Sequence, residues 1–425
     1  MDMDRPDRPA GLNEGEGGVA DGMHDVGGML LPRPFQVVRI GHVGFNVTKI
    51  EQTLDFFCNL LGFHISDTID LGALLPPEER PIDRSGIAFF LRHGSDHHSF
   101  VLFPEAAAKV AAQQLGAFPI EVTANQISWQ AGGLRQVVEG NDWMQEHGRR
   151  VVYSGRDIPG SNFHFYTPDD EGHLNEVFYG MEQIGWNGKS KPGAVRDLIG
   201  YAAPPPIPHR SEAEELRFIA DNGIDLDSGL RATLPEAETH DVDGVLLERP
   251  FKIVKVGPLR LFVKDVQKAL HFYRDLLGLK ITETVNWNGH ICVFLRAGLE
   301  HHSLALYPIE LREVLGLSKN TTAMALGMRV GSYSQLRAAI AYLSERGVEI
   351  RKLPPELFPG IDYSALAISP CGHAVQLHYY MEQLGWNGEP CPPELRRQVD
   401  NDHWPETLEP LTDSFFGETF FGPLG

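Results

Sequence analysis

Four polar side chains of types that can bind a cation or move a proton lie on predicted strands: His42, Gln126, His164 and Glu176. Glu176 sits near the middle of the strand HLNEVFYG, and Leu174 and Phe178 share its face. A carboxylate in that position is expected to be buried, and a buried carboxylate requires a cation or hydrogen bonds. The sequence therefore predicts a polar site around Glu176.

Strand alternation predicts that these four side chains share one face of a sheet. The apolar face takes Val43, Phe45, Val47, Ile127, Trp129, Phe163 and Phe165. The opposite face takes Ile40, His42, Gly44, Asn46, Gln126, Ser128, Gln130, Asn162, His164 and Tyr166. A sheet curled into a cup would bring the polar set together on its concave surface. The alternation does not decide which way His97 and His98 point.

The chain contains one long stretch twice. HDVGGMLLPRPFQVVRIGHVGFNV begins at His24, and HDVDGVLLERPFKIVKVGPLRLFV begins at His240. The copies stay in step through FFLRHGSDHHSFVLFP and VFLRAGLEHHSLALYP, and they close with GMEQIGWNG and YMEQLGWNG. A similarity of this extent indicates two copies of one folded unit. Where the copies agree, the fold explains the residue; a reactive residue found in one copy indicates function.

Every polar candidate of the first copy is replaced in the second. His42 aligns with Pro258, Glu176 with Gln376, Gln126 with Ala325 and His164 with Ser364. The pair His97-His98 is retained as His301-His302, so this pair alone does not distinguish the copies. The pattern predicts one working site in the first copy and a structural role for the second.

Apolar periodicity and turn residues predict the same element order in each half of each copy, a strand, a helix and three strands. The predicted fold class is α+β: four βαβββ units paired into two tandem cup-like domains. The predicted divisions are a disordered segment 1–23, a domain 24–188 with the site, a linker 189–239 with a helix at 212–221, a domain 240–390 with a degenerate site, and a tail 391–425. The tail is expected to pack back, because exposed Phe415, Phe416, Phe420 and Phe421 would be costly.

Composition excludes several classes of partner. The 425 residues are 42% hydrophobic and carry a formal net charge of −20, which argues against nucleic acid or an anionic membrane as the main partner. The acidic, Gly-rich first residues do not resemble a signal peptide, and no apolar run is long enough to span a bilayer. The four cysteines lack metal-site spacing. We expect a cytoplasmic protein with reduced thiols.

The doubled unit, the opening IGHVGFNV, the hairpin FLRHGSDHHSFVLF and the closing GHLNEVFYG resemble the vicinal oxygen chelate superfamily, which includes glyoxalases, bleomycin resistance proteins and extradiol dioxygenases. Within it, the chain is most similar to two-domain extradiol ring-cleavage dioxygenases that act on catechols and biphenyl diols. The resemblance covers roughly 35–188 and 250–390. It implies a homo-oligomer with a small aromatic substrate and O2 as partners.

The resemblance also implies roles for individual residues. In that family two histidines and one glutamate hold Fe(II) and leave positions open for the catecholate oxygens and O2. Carried over, His42 and Glu176 are metal ligands, and Gln126 stands where the second histidine is expected. His98 resembles the acid-base histidine, and His164 is a second catalytic candidate. The predicted substrate-binding residues are His97, Asn162 and Tyr166.

Two departures from the family keep alternatives open. The working copy is the first one, whereas familiar two-domain members use the second. Gln126 replaces a histidine, so His98 or His164 could be the third ligand instead, and Mn, Zn or Ni could replace iron. A glyoxalase-like isomerase or lyase with a redox-inert metal is therefore one alternative function. A non-catalytic small-molecule-binding or resistance protein is the other.

Overall fold

The computed structural model describes residues 22–114, 123–156, 160–231, 238–242 and 244–409. Most of the segment predicted to be disordered (1–21) and the four phenylalanines of the tail lie outside these described residues, as does part of the predicted linker. Within them, no helix has the length and apolar composition that crossing a membrane requires. All four cysteines are described, and all are free thiols.

The first domain is an eight-stranded mixed sheet with helices on one side, preceded by a short hairpin. Its strands are β1 His24–Val26, β2 Met29–Leu31, β3 Val37–Val47, β4 His64–Asp70, β5 Ile87–Arg92, β6 Phe100–Pro104, β7 Ala124–Ala131, β8 Tyr153–Gly155, β9 His164–Pro168 and β10 Leu174–Phe178. Its helices are α1 Ile50–Asp55, α2 Glu105–Gln114 and α3 Leu134–Glu146. The strand order β4-β5-β6-β3-β7-β10-β9-β8 joins two βαβββ units through the antiparallel pair β3 and β7.

The described part of the connection between the domains contains two α-helices, α4 Arg196–Ile199 and α5 Glu212–Asp221. Helix α5 covers the residues predicted from the sequence. Ser211 begins it with a capping box, in which its hydroxyl accepts from the Glu214 backbone N–H and the Glu214 carboxylate accepts from the Ser211 backbone. Glu215 on this helix accepts from Arg156 Nη1 at 2.6 Å, which docks the connection onto the first domain.

The second domain repeats the first. Its strands are β11 His240–Val242, β12 Val245–Leu247, β13 Ile253–Val263, β14 Lys280–Trp287, β15 His290–Arg296, β16 Leu304–Pro308, β17 Ala323–Val330, β18 Ile350–Arg351, β19 Ser364–Ile368 and β20 Ala374–His378. Its helices are α6 Val266–Leu270, α7 Leu311–Val314 and α8 Tyr333–Glu345. The sheet order β14-β15-β16-β13-β17-β20-β19-β18 matches that of the first domain. The predicted α+β fold of four βαβββ units is confirmed.

The β3 strand departs from simple alternation. A register shift between Ile40 and Val43 in its pairing with β7 turns His42 toward one face and Ile40 toward the other. Ile40 is buried in the same core cluster as Val43 and Phe45. The expectation that Ile40 shares a face with His42 is wrong, because a β-bulge interrupts the two-residue period between them.

The two domains share one hydrophobic core. A single cluster of buried residues includes Trp129 of β7 and Tyr273 after α6, whose ring centroids are 6.2 Å apart. Hydrogen bonds also cross the boundary: the Tyr273 hydroxyl donates to the buried Asp169 Oδ2 at 2.7 Å, and His373 Nε2 lies 3.0 Å from the Asn46 carbonyl oxygen. The described part of the tail packs on this core through Val399, Trp404 and Leu408.

Candidate metal centre

His42 and Glu176 form the centre of the polar cup in the first domain. Nε2 of His42 lies 2.9 Å from Oε2 of Glu176, and both side chains are fully buried. The bulge in β3 aims His42 inward, and Glu176 occupies the middle of β10. Glu176 Oε1 is buried without a hydrogen bond, so this carboxylate oxygen retains binding capacity.

Two neutral side chains of β7 complete this cluster. Gln126 Nε2 donates to Glu176 Oε2 at 2.6 Å and lies 2.9 Å from His42 Nε2. The Ser128 hydroxyl donates to the same carboxylate oxygen at 2.5 Å and lies 2.7 Å from His42 Nε2. The amide of Gln126 can turn over to present its oxygen instead of its nitrogen. Four potential ligand groups therefore meet at one point.

Ser128 was not among the predicted ligands, although it was placed on the same face as Gln126. The parallel pairing of β10 with β7 sets Glu176 directly opposite Ser128, not opposite Gln126. The signal in the sequence was the alternation, which gives residues 126 and 128 equal access to the cup. Register between distant strands then decides which of the two lies nearer to Glu176.

His98 lies against the ring of His42, at a centroid separation of 4.2 Å. Its Nδ1 is 2.9 Å from Nδ1 of His97, and His97 Nε2 points toward Asp67 Oδ2 at 3.8 Å. Burial, and then the neighbouring His42, hold the pKa of His98 well below its usual value. His98 is therefore neutral near pH 7 and is oriented by His97.

His164 and Tyr166 of β9 form the neighbouring wall. His164 Nδ1 lies 2.9 Å from the Asn162 carbonyl oxygen and 3.7 Å from Glu176 Oε1. The Tyr166 hydroxyl accepts from Gln126 Nε2 at 3.1 Å. Asn162 thus reaches the site through its backbone, where it orients His164. The structure brings His42, Gln126, Glu176 and Tyr166 into one hydrogen-bonded cluster, with His98 and His164 at its edge.

The carboxylate of Glu176 remains ionised in this buried setting. Burial alone would raise its pKa, but the adjacent His42 and His164 and the Ser128 hydroxyl lower that pKa to about 2. A buried carboxylate 2.9 Å from an imidazole nitrogen is a pair of groups that could both bind a divalent cation. The ionised carboxylate of Glu176 therefore favours a positive charge beside it.

The donor set fits a divalent cation, although it is weaker than two histidines and a carboxylate. In the part of the chain that the structure describes, no group of three or more His, Cys, Asp or Glu side chains is arranged to hold a metal. His42 and Glu176 would be the strong ligands, and Gln126 and Ser128 would add neutral oxygens. Oxygen donors suit Mn and Mg, and imidazole suits Fe and Zn, so the set does not select one metal.

The second domain has lost this cluster. Pro258, Ala325 and Gln376 stand at the positions of His42, Gln126 and Glu176 on the matching strands. The cup is instead packed with apolar side chains, including Leu357 and Phe358. A fully buried arginine, Arg260, lies among them and donates to His302 Nε2 at 3.1 Å. The sequence comparison did not single out Arg260.

Comparisons with known proteins match both domains of the chain. The model of the Glyoxalase/Bleomycin resistance protein/Dioxygenase superfamily matches residues 39–177 and 255–377, more than half of the chain. A 2,2',3-trihydroxybiphenyl dioxygenase from Sphingomonas paucimobilis is 24% identical over 284 residues, which are 65% of this chain and 92% of that protein.

Solved structures show the likeness in fold. The 2,3-dioxygenase LapB from Pseudomonas sp. KL28 superposes with a TM-score of 0.51 at 12% identity, over 84% of this chain and 96% of that one. BphC, a halotolerant catechol dioxygenase, superposes with a TM-score of 0.50 at 14% identity, over 84% and 91% of the two chains. At these identities the likeness concerns the fold alone.

Proposed function

Because this chain belongs to the Glyoxalase/Bleomycin resistance protein/Dioxygenase superfamily, we propose that its first cup is the active site of an extradiol-type dioxygenase that cleaves a dihydroxylated aromatic ring. The family expectation from the sequence is confirmed. The observation that carries the proposal is the contact between His42 and Glu176, 2.9 Å apart in a buried polar cluster that the second cup lacks. The similarity to a trihydroxybiphenyl dioxygenase supports the same reaction type.

In this proposal His42 and Glu176 hold the metal, and Gln126 and Ser128 contribute neutral oxygens. The bound metal, Fe(II) or Mn, would supply open positions for the two substrate oxygens and O2 and a path for electrons between them. His98 is neutral because burial lowers its pKa, so its lone pair takes a proton from a ring hydroxyl. Tyr166 presents its hydroxyl beside the same cluster.

His97 acts on the reaction by orienting His98. The two Nδ1 atoms are 2.9 Å apart, so one ring donates to the other, and in this proposal His98 Nδ1 is the donor and His97 Nδ1 the acceptor. Nε2 of His98 then carries the lone pair that a general base requires. His164 is held by the Asn162 carbonyl oxygen, which we take as an orienting contact for a second proton-carrying group.

One observation favours a second candidate function, a glyoxalase-like isomerase or lyase. The positions that face His42 across the cluster carry Gln126 and Ser128, so the site offers one imidazole where the extradiol pattern has two. Neutral oxygen donors suit a redox-inert metal that polarises a carbonyl group. Such an enzyme would need no O2, which separates it from the first candidate.

The deciding experiment is the metal content of anaerobically purified protein, measured by plasma mass spectrometry beside His42→Ala. Iron near one equivalent, lost in the variant, together with O2 uptake on a panel of catechols, would support the dioxygenase. Zinc or nickel with O2-independent turnover would select the isomerase. Absence of metal after reconstitution, with tight binding of a small molecule unchanged in Glu176→Gln, would refute both and indicate a binding protein.

A further inference from the structure

Arg260 is a buried cation in the second cup, and none of the described Asp and Glu side chains forms an ion pair with it. Burial lowers the pKa of Arg260 to about 10, against the opposing effect of the Tyr307 hydroxyl, so the side chain is charged at neutral pH. Two carboxylates of this domain are bound elsewhere: Arg396 donates to Glu283 Oε2 at 2.7 Å and to Glu382 Oε2 at 2.8 Å. A buried charge without a counter-charge is unfavourable, so the second cup favours an anion beside Arg260.

The groups that contact the Arg260 guanidinium are neutral. Nη2 donates to His302 Nε2 at 3.1 Å, and the Phe358 ring lies 5.1 Å away. Burial, and then the charge of Arg260, hold the pKa of His302 well below its usual value, so this imidazole is uncharged at neutral pH. The Tyr307 hydroxyl donates its own proton to the Leu357 carbonyl oxygen at 2.5 Å. Nε and Nη1 of Arg260 are buried without a hydrogen bond, so the guanidinium keeps two donors for a ligand.

The duplicated fold does not require this arginine. The equivalent position of β3 is Gly44, so the same strand forms in the first domain without a side chain there. The next position along the strand, Phe45 in one copy and Leu261 in the other, is buried and apolar in both. Phe45 and Leu261 therefore belong to the scaffold, whereas Arg260 is present in one copy only. A buried charge that the scaffold does not need indicates a function of the second cup.

A cavity of about 730 Å³ lies against the second cup, and Phe358 is part of its lining. Val285 lines it as well, and this side chain packs on the same apolar cluster that contains Phe358. The Phe358 ring thus contacts both the cavity and the Arg260 guanidinium. Side chains change rotamer readily where they border open space, so a turn of this ring would open a path from the cavity to Arg260.

The surroundings of Arg260 limit which anion fits. Apolar side chains fill the rest of the cup, among them Phe294, Leu357 and Leu366. Protein interiors are close-packed, so the ligand must be small. An apolar wall does not replace the water that an ion loses, so one negative charge is accepted more readily than two. We propose that the second cup binds a small monovalent anion, which accepts a hydrogen bond from Nη1 or Nε of Arg260 and neutralises its charge.

Bromide is the probe, because it is monovalent and its anomalous X-ray scattering locates it. Crystals of the full chain soaked in NaBr should show bromide within hydrogen-bonding distance of Arg260 Nη1 or Nε, and crystals of Arg260→Met should not. In solution the starting buffer contains no small monovalent anion, so Arg260 begins without a counter-ion. Added NaBr should raise the melting temperature of the full chain saturably, by about 2–4 °C above Na₂SO₄ of the same ionic strength, and Arg260→Met should lose this rise.

Two further variants keep the test decisive. Arg260→Lys retains the charge without the guanidinium; it should keep a smaller saturable rise, and it replaces Arg260→Met if that variant does not fold. His42→Ala, which alters the first cup, should respond to bromide as the unaltered protein does.

Three outcomes would overturn the anion site. An equal rise in NaBr and Na₂SO₄, or a rise that persists in Arg260→Met, would show that bromide does not act through Arg260. Crystals without bromide at Arg260 would contradict the site directly. Bromide at Arg260 without a saturable rise in solution would mean an adventitious ion only. None of these outcomes bears on the dioxygenase proposal, which concerns the first cup.

Discussion

Gly44 and Arg260 occupy equivalent positions on the matching strands β3 and β13, and this difference distinguishes the two cups. A Cβ at position 44 would lie 2.5 Å from the Phe103 ring, so any residue other than glycine would displace that ring. Arg260 instead extends into the second cup and stacks over Phe358 at 5.1 Å. In the described part of the chain, no carboxylate pairs with it. The first cup contains the buried carboxylate of Glu176, and the second contains a buried cation.

Replacing this buried cation should not weaken the fold. Burial lowers the pKa of Arg260 to about 10, so it is still charged at neutral pH. Arg260→Met should leave the free energy of unfolding unchanged or raise it by about 1–4 kcal/mol, because a desolvated charge without a counter-ion is removed. Urea denaturation measures the difference. Arg249→Met should destabilise, because it removes the hydrogen bonds that Nη2 and Nε of Arg249 donate to the Cys58 and Asn59 carbonyl oxygens, both at 2.9 Å. A large loss in Arg260→Met would show that Arg260 is structurally required.

The retained histidine pairs offer a matched test of catalysis. His98→Ala should lower turnover about 10²–10⁴-fold and keep the bound metal, because it removes a general base and no ligand. His302→Ala, at the same position of the second cup, should leave turnover within about twofold. Steady-state kinetics and metal analysis of both variants test whether His98 acts as a general base. Equal losses in the two variants would indicate that the pair is structural in both domains.

Gln126→Glu should make stability depend on metal. The new carboxylate would lie beside Glu176, and the repulsion between two buried anions should lower the melting temperature of metal-free protein. Added Mn²⁺ should restore it and should bind about tenfold more tightly, since a charged oxygen replaces a neutral one. Thermal unfolding with and without MnCl₂ measures both effects. Gln126→Ala should respond to metal less than the unaltered chain; the opposite order would remove Gln126 from the ligand set.

Stability should depend on pH through Glu215, which docks α5 on the first domain. Burial alone would raise its pKa, but hydrogen bonds and charge from Arg156 and Lys191 lower that pKa to about 2. The folded pKa lies below the unfolded value of about 4.3, so the stabilisation is complete above that value and is lost as pH falls toward 2. Glu215→Gln should be less stable by about 1–3 kcal/mol at pH 7, a difference that shrinks below pH 5.

Urea denaturation of the unaltered protein and of Glu215→Gln between pH 2 and pH 7 measures how the stability difference changes with pH. Glu212→Gln is the control, because this carboxylate lies on the same helix and is 66% exposed, with only a 3.1 Å contact to Lys191 Nζ. It should change stability by less than about 0.5 kcal/mol at every pH. A Glu215→Gln deficit that stays constant down to pH 2 would contradict the assignment.

Gly278 tests the contact between domains. Its φ of +83° already favours glycine, and a Cβ there would lie 1.8 Å from Arg33 Cζ. Gly289 has a φ of +86° with no atom within 4 Å of the same position. Gly289→Ala should therefore cost about 1 kcal/mol from backbone strain, and Gly278→Ala should cost more, because Arg33 must also move. If thermal unfolding shows the same loss of stability in both variants, the Arg33 side chain moves aside at no cost.

Much of the fold followed from local signals in the sequence. Helix α5 was predicted over 212–221, and the structure forms it over the same residues. His42 and Glu176 were chosen as candidates because the second copy retains the strands and lacks these side chains. The duplication thus allowed a comparison within one chain. It distinguished residues that both copies retain from candidate functional residues that stand in one copy.

The missed features depend on contacts between distant segments. The bulge that moves Ile40 into the core arises from how β3 pairs with β7, which no local pattern specifies. Ser128 gains its place because β10 pairs in one particular register. An arginine on a strand, such as Arg260, is usually exposed; its burial follows from Leu357 and Phe358, which close the cup from another part of the chain.

The shared core also determines what a chain truncated after the first domain would expose. His373 Nε2 reaches the Asn46 carbonyl oxygen, at the far end of the strand that carries His42, and Trp129 packs toward Tyr273. A reading frame that stopped after the first half would leave a broad apolar surface open to water and to other chains. Its product would be an aggregating fragment. We therefore expect the half without a polar cup to be required because it covers apolar surface of the half that has one.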